Sequence, residues 1–126
     1  MPYKIMKKIL VIDDSLMNLK ITRHSLQHAG YDVIEASNGL DGVKKAKQYL
    51  PILILMDIHM PDMDGVETLA MIRSMPELKD IPVVAITASG SDGDKERFIE
   101  KGFDQYISKP VNIKNLTQVV NSICAK

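Results

Sequence analysis

The chain has 126 residues, of which 45% are hydrophobic and 25% are charged, as is ordinary for one globular domain. Its 16 Lys and Arg residues balance its 16 Asp and Glu residues, so the basic excess typical of nucleic-acid-binding proteins is absent. No apolar run approaches the roughly 20 residues of a transmembrane helix, and the amino terminus lacks the apolar segment of a signal peptide. One cysteine and eight methionines are typical of a reducing compartment. We therefore expect a cytoplasmic protein without a nucleic-acid or membrane partner.

Five segments predict β-strands. Three are uninterrupted apolar runs, which are typical of parallel strands covered on both faces of a sheet. Two are more polar and would suit the edges of that sheet. In chain order the predicted strands are 9–12, 31–35, 52–56, 83–86 and 105–108, and the second and fifth are the polar ones.

A helix is predicted after each strand, because apolar residues recur there at helical spacing. Gly30 ends the first helix, Pro51 stops the second, Gly65 precedes the third, Gly102 closes the fourth and Asn112 caps the fifth. The fourth helix, around 91–101, has the fewest apolar residues and should be the most loosely held. Its main apolar residues are Phe98 and Ile99. In the other four helices the predicted inward-facing residues are, helix by helix, Leu19, Leu26 and Ala29; Leu40, Val43 and Ala46; Val66, Leu69 and Ile72; and Leu116, Val119, Val120 and Ile123.

The strand–helix order, repeated five times, predicts an α/β fold with a doubly wound, five-stranded parallel sheet. We find no internal repeat or linker and expect residues 1–126 to form a single domain. In such folds a ligand binds beyond the carboxyl ends of the strands. The residues that directly follow each strand are therefore the candidates for function.

Five polar residues stand at these carboxyl ends: Asp13 and Asp14, Asp57, Thr87, and Lys109. If the first and third strands are neighbours, three carboxylates converge, and two such charges about 4 Å apart repel by about 4 kcal/mol. A hard divalent cation such as Mg²⁺ relieves this repulsion. For any single aspartate, a helix cap or a turn is the simpler interpretation. The joint arrangement favours a metal site.

Lys109 and Thr87 indicate which ligand such a metal ion would help to bind. An ammonium across from a cation site implies an anion between them, and a hydroxyl group suits a phosphoryl oxygen. The chain lacks the glycine-rich G-x-x-x-x-G-K nucleotide loop, so the phosphoryl group would come from another molecule. Asp57 is the best candidate nucleophile, since a carboxylate can accept a phosphoryl group as an acyl phosphate.

Four segments carry a family resemblance: VIDDS at 11–15, LMDIHMPDMDG at 55–65, PVVAITA at 82–88 and GFDQYISKP at 102–110. Together they span nearly the whole chain, and it closely resembles the receiver domain of two-component response regulators. The resemblance implies a flavodoxin-like (βα)5 fold with strand order 2-1-3-4-5. It also implies a signalling switch of a phosphorelay rather than an enzyme.

The resemblance further implies that Asp57 is the phosphoacceptor, supplied by a sensor histidine kinase or a histidine phosphotransfer protein. Asp14 and Asp57 would bind Mg²⁺ directly, together with the main-chain carbonyl of His59. Asp13 would act mainly through a bound water.

The same resemblance assigns the switch. Thr87 would move to hydrogen-bond the phosphoryl group, Lys109 would pair with another of its oxygens, and Tyr106 would turn inward as the threonine moves. On spacing alone, Tyr106 could equally be a half-buried aromatic residue of an edge strand. His59 and Ser89 occupy variable positions where side chains in this family can tune hydrolysis of the acyl phosphate. His59 could orient a water molecule for this role or could simply point to solvent, and mild tuning is favoured.

A downstream protein target is expected to read the change at the face formed by the fourth helix, the fifth strand and the fifth helix. We expect a monomer or weak dimer. The chain looks like a stand-alone receiver of the chemotaxis or cell-cycle kind, although 93–109 also resembles receivers attached to hybrid kinases. The Lys109–Pro110 peptide is expected to be cis in this family.

Three other functions remain open. A flavodoxin-like FMN protein would need a Ser/Thr/Gly-rich phosphate loop where Asp13 and Asp14 stand, and a visible spectrum would reveal it. A metal-dependent phosphatase would place its nucleophile after the first strand, and would turn over free phosphoesters. A receiver-like domain that works without phosphorylation usually lacks some of the five residues, and would not respond to acetyl phosphate or beryllofluoride.

Overall fold

Strands and helices alternate along the computed structural model, which describes residues 7–60, 63–87, 92–109 and 111–124. No described helix has both the length and the apolar composition that crossing a lipid bilayer requires. In chain order the elements are β1 Lys8–Ile12, α1 Leu16–His28, β2 Asp32–Ala36, α2 Gly39–Tyr49, β3 Leu53–Asp57, α3 Gly65–Ser74, β4 Val83–Thr87, α4 Asp92–Glu100, β5 Gln105–Ser108 and α5 Ile113–Cys124.

The five strands form one parallel sheet in the order β2-β1-β3-β4-β5. This confirms the predicted doubly wound fold and the predicted strand order, with the two polar strands at the edges. Ile12 at the end of β1 pairs with Met56 in β3, and Thr87 at the end of β4 pairs with Ser108 in β5. The register therefore brings the carboxyl ends of four strands to one edge of the sheet.

Two hydrophobic clusters cover the two faces of the sheet. Within β3, Ile54 and Met56 pack against α2, α3 and α4, whereas Leu53 and Leu55 pack against α1 and α5. All four side chains are fully buried. The alternation explains why the central strands are apolar at every position, because each face of the sheet has its own layer of helices.

The predicted inward position of Leu40 is wrong, since its side chain is 62% exposed. Gly39 and Gly42 take the inner positions at the start of α2. A Cβ at Gly39 would overlap the hydroxyl of Thr68, and one at Gly42 would overlap the side chain of Ile12. The helix can approach α3 and the sheet this closely only with glycine at these positions, and Leu40, one residue after Gly39, is rotated outward.

Two other predictions are corrected in detail. Ala29 is exposed because it caps the end of α1, and the buried face of that helix also contains Thr22 and Ser25. Ile52 precedes β3 and is 37% exposed, so the third strand begins one residue later and ends at Asp57. The second strand is likewise shifted by one residue, to Asp32–Ala36.

The predicted ends of two helices are confirmed. Gly30 follows α1 with a φ of 100°, and Gly102 follows α4 with a φ of 111°, a region that glycine adopts without steric cost. Asn112 caps α5, because its side-chain oxygen accepts a hydrogen bond from the amide of Asn115 at 3.1 Å. Ser91, where the fourth helix was predicted to begin, lies outside the described residues.

Candidate functional site

Three aspartates meet at the carboxyl edge of the sheet, as predicted. Asp13 follows β1, Asp14 comes next, and Asp57 is the last residue of β3. Oxygen atoms of the three carboxylates all lie within 4.8 Å of one another. Asp13 and Asp57 are 4% and 2% exposed, whereas Asp14 is exposed to solvent. The cluster exists because the order β2-β1-β3 places β1 beside β3.

The backbone around Asp13 fixes its carboxylate. The amide of Asp13 donates to the carbonyl oxygen of Ala36 at 3.0 Å, which continues the pairing of β1 with β2. Its Oδ1 accepts a hydrogen bond from the amide of Ser15 at 2.9 Å. Ser15 is the residue that caps α1, because its Oγ accepts from the amide of Asn18 at 3.3 Å. Helix capping therefore does not account for Asp14.

The pKa of Asp13 is raised above its ordinary value of 3.8, chiefly because burial disfavours the charged form. The negative charges of Asp57 and Asp14 raise this pKa further, while the Ser15 amide and the Lys109 ammonium lower it. The site thus brings three carboxylates together around the contact of Lys109 with Asp57. Carboxylate oxygens are hard ligands, so this donor set fits Mg²⁺.

Asp57 is held by a contact to each of its oxygens. The Nζ of Lys109 lies 3.2 Å from Oδ2. The amide of His59 donates to Oδ1 at 3.2 Å. Lys109 is placed by the end of β5, where its amide donates to the carbonyl oxygen of Thr87 at 2.8 Å. The predicted meeting of Lys109 with the acidic cluster is thus present.

Gly65 shapes the loop that follows Asp57. Its amide donates to the carbonyl oxygen of Ile58 at 2.9 Å. A Cβ at this position would lie 2.8 Å from the Cα of Ile58 and 2.9 Å from the carbonyl oxygen of Asp57. The sequence pattern predicts only that Gly65 precedes the third helix, whereas Gly65 is the first residue of α3. Its position eight residues after Asp57, inside the loop motif, was the available signal for this close approach.

Thr87 and Tyr106 occupy the neighbouring strands. Thr87 is fully buried at the end of β4. Tyr106 is partly buried in β5, and its ring stacks on that of Phe98 in α4 with centroids 6.0 Å apart and an interplanar angle of 23°. Tyr106 therefore connects β5 to the fourth helix. Ser89 and Pro110 lie outside the described residues, so the predictions for them stay predictions.

The side chain of His59 is exposed, and only its main chain contacts the cluster within the described part of the chain. His24 and His28, four residues apart on α1, are also exposed. Among the described residues neither belongs to a group of three potential metal ligands. They are part of a solvated helical face.

Comparisons with known proteins agree with this geometry. The sequence profile of the response regulator receiver domain matches residues 9–121. The polar-differentiation response regulator DivK of Brucella anthropi is 35% identical over 116 residues, which cover 92% of this chain and 94% of DivK.

Two solved structures show the same fold. The chemotaxis response regulator CheY4 of Vibrio cholerae superposes with a TM-score of 0.88 at 29% identity, covering 94% of this chain and 99% of CheY4. The receiver domain of the sensor histidine kinase PA1611 of Pseudomonas aeruginosa has a TM-score of 0.88 at 26% identity, covering 97% of this chain and 100% of that domain. Its structure contains a magnesium ion coordinated in the active site cleft. The present chain belongs to the response regulator receiver domain family, and its acidic cluster lies at the edge of the sheet where this fold binds ligands.

Proposed function

We propose that the chain is a phosphoacceptor switch of a two-component phosphorelay, in which Asp57 receives the phosphoryl group. The observation that carries this proposal is the environment of the Asp57 carboxylate. It is almost fully buried, one of its oxygens contacts the Lys109 ammonium at 3.2 Å, and two more carboxylates lie within 4.8 Å. Such a group is oriented and placed among charges that can hold a phosphoryl group.

Mg²⁺ is the proposed cofactor. Asp14, Asp57 and the main-chain carbonyl of His59 would be its direct ligands, and Asp13 would act through a bound water. The three carboxylates within 4.8 Å of one another support a cation here, as does the magnesium ion in the PA1611 receiver. When bound, Mg²⁺ would supply a Lewis acid that stabilises negative charge on the phosphoryl oxygens.

The proposed phosphodonor is a phosphohistidine of a sensor histidine kinase or of a histidine phosphotransfer protein. An Asp57 carboxylate oxygen attacks the phosphorus, an O–P bond forms, the N–P bond breaks, and the leaving imidazole nitrogen keeps the electron pair and takes up a proton. The Lys109 ammonium pairs with a phosphoryl oxygen and holds the acceptor carboxylate in place beforehand. A cleft lined in part by Asp13, Ile21 and Lys109 adjoins the site.

The switch follows from the added charge. A phosphoryl group at Asp57 brings strong hydrogen-bond acceptors to the end of β4, where the Thr87 hydroxyl can donate a hydrogen bond to them. Tyr106 would then turn inward, and the shift would reach the face formed by α4, β5 and α5. A downstream protein that prefers this state would bind there, and by linkage its binding would favour phosphorylation.

We further propose that residues 1–126 act as one receiver domain, as a monomer or weak dimer in the cytoplasm. Two kinds of relative support a receiver domain, because DivK and CheY4 are response regulators and the PA1611 receiver belongs to a sensor histidine kinase. His59, and Ser89 outside the described residues, are proposed to tune the lifetime of the acyl phosphate.

The proposal is tested by incubating the protein with acetyl phosphate and Mg²⁺ and measuring its intact mass. The wild-type chain should gain one phosphoryl group, and chelation of Mg²⁺ should prevent the gain. Asp57→Asn should gain none. Asp80→Asn, which changes an exposed aspartate on the connection before β4, is the matched control and should behave as wild type. Normal phosphoryl uptake by Asp57→Asn would overturn the assignment.

A further inference from the structure

Arg73, near the end of α3, has no part in the proposed phosphoryl transfer, yet its guanidinium group has an unusually complete set of partners. The group is about one-quarter exposed. It donates to four acceptors: the carbonyl oxygens of Lys79 at 2.8 Å, Ile81 at 2.7 Å and Gly102 at 2.9 Å, and Oδ2 of Asp104 at 2.9 Å.

These acceptors lie in two different connections of the fold. Lys79 and Ile81 belong to the connection from α3 to β4, whereas Gly102 and Asp104 belong to the turn from α4 to β5, which we call the α4–β5 turn (residues 101–104). Gly102 and Asp104 are 29 and 31 residues from Arg73 in the sequence. A single side chain therefore joins the end of α3 to the far end of α4.

Asp104 extends this connection to the sheet. The Oδ2 atom that contacts Arg73 also accepts a hydrogen bond from the amide of Val83 at 2.8 Å. The amide of Asp104 donates in return to the carbonyl oxygen of Val83 at 2.8 Å. Arg73 and Asp104 thus close the amino end of the β4–β5 pair, opposite to the end that carries Thr87 and Lys109.

The chemistry of these contacts requires arginine. A guanidinium group has five donors in a rigid plane and can serve several carbonyl oxygens and a carboxylate at once. A lysine at position 73 would keep the charge, but its single ammonium could not span the same set of acceptors.

The carboxyl-terminal end of α4 is fixed by apolar contacts as well. Phe98 and Phe103 are 3% and 2% exposed, and their rings meet edge to face with centroids 6.0 Å apart. The amide of Phe103 donates to the carbonyl oxygen of Phe98 at 3.2 Å. A Cβ at Gly102 would come within 3.5 Å of Leu69, so the turn lies directly against α3.

In the proposed switch, the phosphoryl signal would enter α4 from the other end. Thr87 ends β4, and α4 follows β4 in the chain, so a displacement at Thr87 reaches the amino-terminal end of the helix first. A rigid helix that is displaced at one end and held at the other rotates about the held end.

We propose that Arg73 anchors the α4–β5 turn to α3, so that the movement of α4 on phosphorylation is a pivot about this turn. The pivot rests on the proposed switch function. The anchor itself is a property of the chain without a phosphoryl group, and the two parts can be tested separately.

The test is amide hydrogen exchange followed by mass spectrometry, with and without beryllofluoride and Mg²⁺. Arg73→Met removes the guanidinium group but keeps an apolar stem. Arg73→Lys also keeps the positive charge but lacks the planar set of donors. Arg23→Met is the matched control, because Arg23 also forms an ion pair, with Glu35 at 2.7 Å, on α1. Amides of β1 and β3 report any global loss of stability.

Without beryllofluoride, Arg73→Met should exchange about tenfold faster than wild type at the turn, as expected when hydrogen bonds to a charged group are lost. Arg73→Lys should be intermediate, and Arg23→Met should match wild type. With beryllofluoride, the wild-type chain should change at the amino-terminal end of α4 and not at the turn. In Arg73→Met the change should extend into the turn.

Equal basal exchange at the turn in Arg73→Met and wild type would overturn the anchor. A wild-type response as large at the turn as at the start of α4 would overturn the pivot. Absence of any wild-type response to beryllofluoride would instead contradict the proposed switch, while the basal comparison still decides the anchor. If Arg73→Met does not fold, Asp104→Asn, which keeps an acceptor oxygen but loses the charge, is subject to the same comparison.

Discussion

Replacing Asp13 with Asn is expected to stabilise the folded chain when no divalent cation is present. Asp13 is 4% exposed, and its oxygen atoms lie within 4.8 Å of those of Asp57. Burial raises the pKa of the Asp13 carboxyl group, so its charged form is unfavourable in the fold. Asn keeps the oxygen that accepts the Ser15 amide and removes only the charge.

The size of the effect follows from the distance. Two unit charges 4.8 Å apart at an effective dielectric constant of about 20 repel by about 3.5 kcal/mol. The Lys109 ammonium offsets part of this repulsion, and a neutral amide accepts a weaker hydrogen bond than a carboxylate. We therefore expect Asp13→Asn to raise the free energy of unfolding by about 1–2 kcal/mol at neutral pH.

The stability difference between Asp13→Asn and wild type should also depend on pH. A folded-state pKa above the ordinary value means that the favourable contribution of Asp13 is present below pH 3.8 and is lost as the pH rises through the raised pKa. The advantage of Asp13→Asn should therefore be largest near pH 7 and shrink as the pH falls. Mg²⁺ should stabilise wild type by relieving the same repulsion, and should stabilise the variant less.

Urea denaturation at pH 7 and at acidic pH, each with EDTA and with excess Mg²⁺, measures all of these differences. Asp80→Asn is the control for loss of one exposed carboxylate. The electrostatic reasoning is refuted if Asp13→Asn is no more stable than wild type in EDTA at pH 7, or if Mg²⁺ stabilises both proteins equally.

Three further substitutions test separate features. Gly65→Ala should destabilise the fold by about 1–3 kcal/mol and impair phosphoryl uptake, because its Cβ would overlap the backbone of Ile58 and Asp57; denaturation and acetyl phosphate labelling check this, and wild-type behaviour would contradict it. Leu50 has a φ of 47°, so Leu50→Gly should be more stable than Leu50→Ala by about 1 kcal/mol, opposite to their order within a helix, as measured by thermal unfolding. Lys109→Met leaves the buried carboxylate of Asp57 without its ammonium, so it should lower the free energy of unfolding in EDTA by about 1–2 kcal/mol and slow phosphorylation; unchanged labelling rates would argue against the assigned contact.

The sheet and the acidic cluster could be predicted because both depend on local patterns. Apolar runs mark strands that are buried on both faces, and parallel strands bring their carboxyl ends to one edge. If β1 and β3 are neighbours, the positions of Asp13 and Asp57 in the sequence are enough to bring them together. Lys109 followed from the end of β5 by the same reasoning.

Other features depend on packing that no local pattern records. Leu40 lies at the start of α2, where helical spacing alone does not decide which side faces the sheet. The buried face of α2 is set by Gly39 and Gly42, whose missing Cβ atoms allow close contact with α3 and β1. Arg73 could not be recognised from the sequence, because three of its four acceptors are main-chain carbonyl oxygens. Any residue type can supply such an oxygen.

The most direct test of the phosphorylation site is to map the acyl phosphate itself. After labelling with acetyl phosphate and Mg²⁺, reduction with borohydride converts a phosphorylated aspartate to homoserine, which peptide mass spectrometry locates. We expect homoserine at position 57 and at no other aspartate. Homoserine at position 13 or 14, or a stable phosphoryl group on a different type of residue, would contradict it.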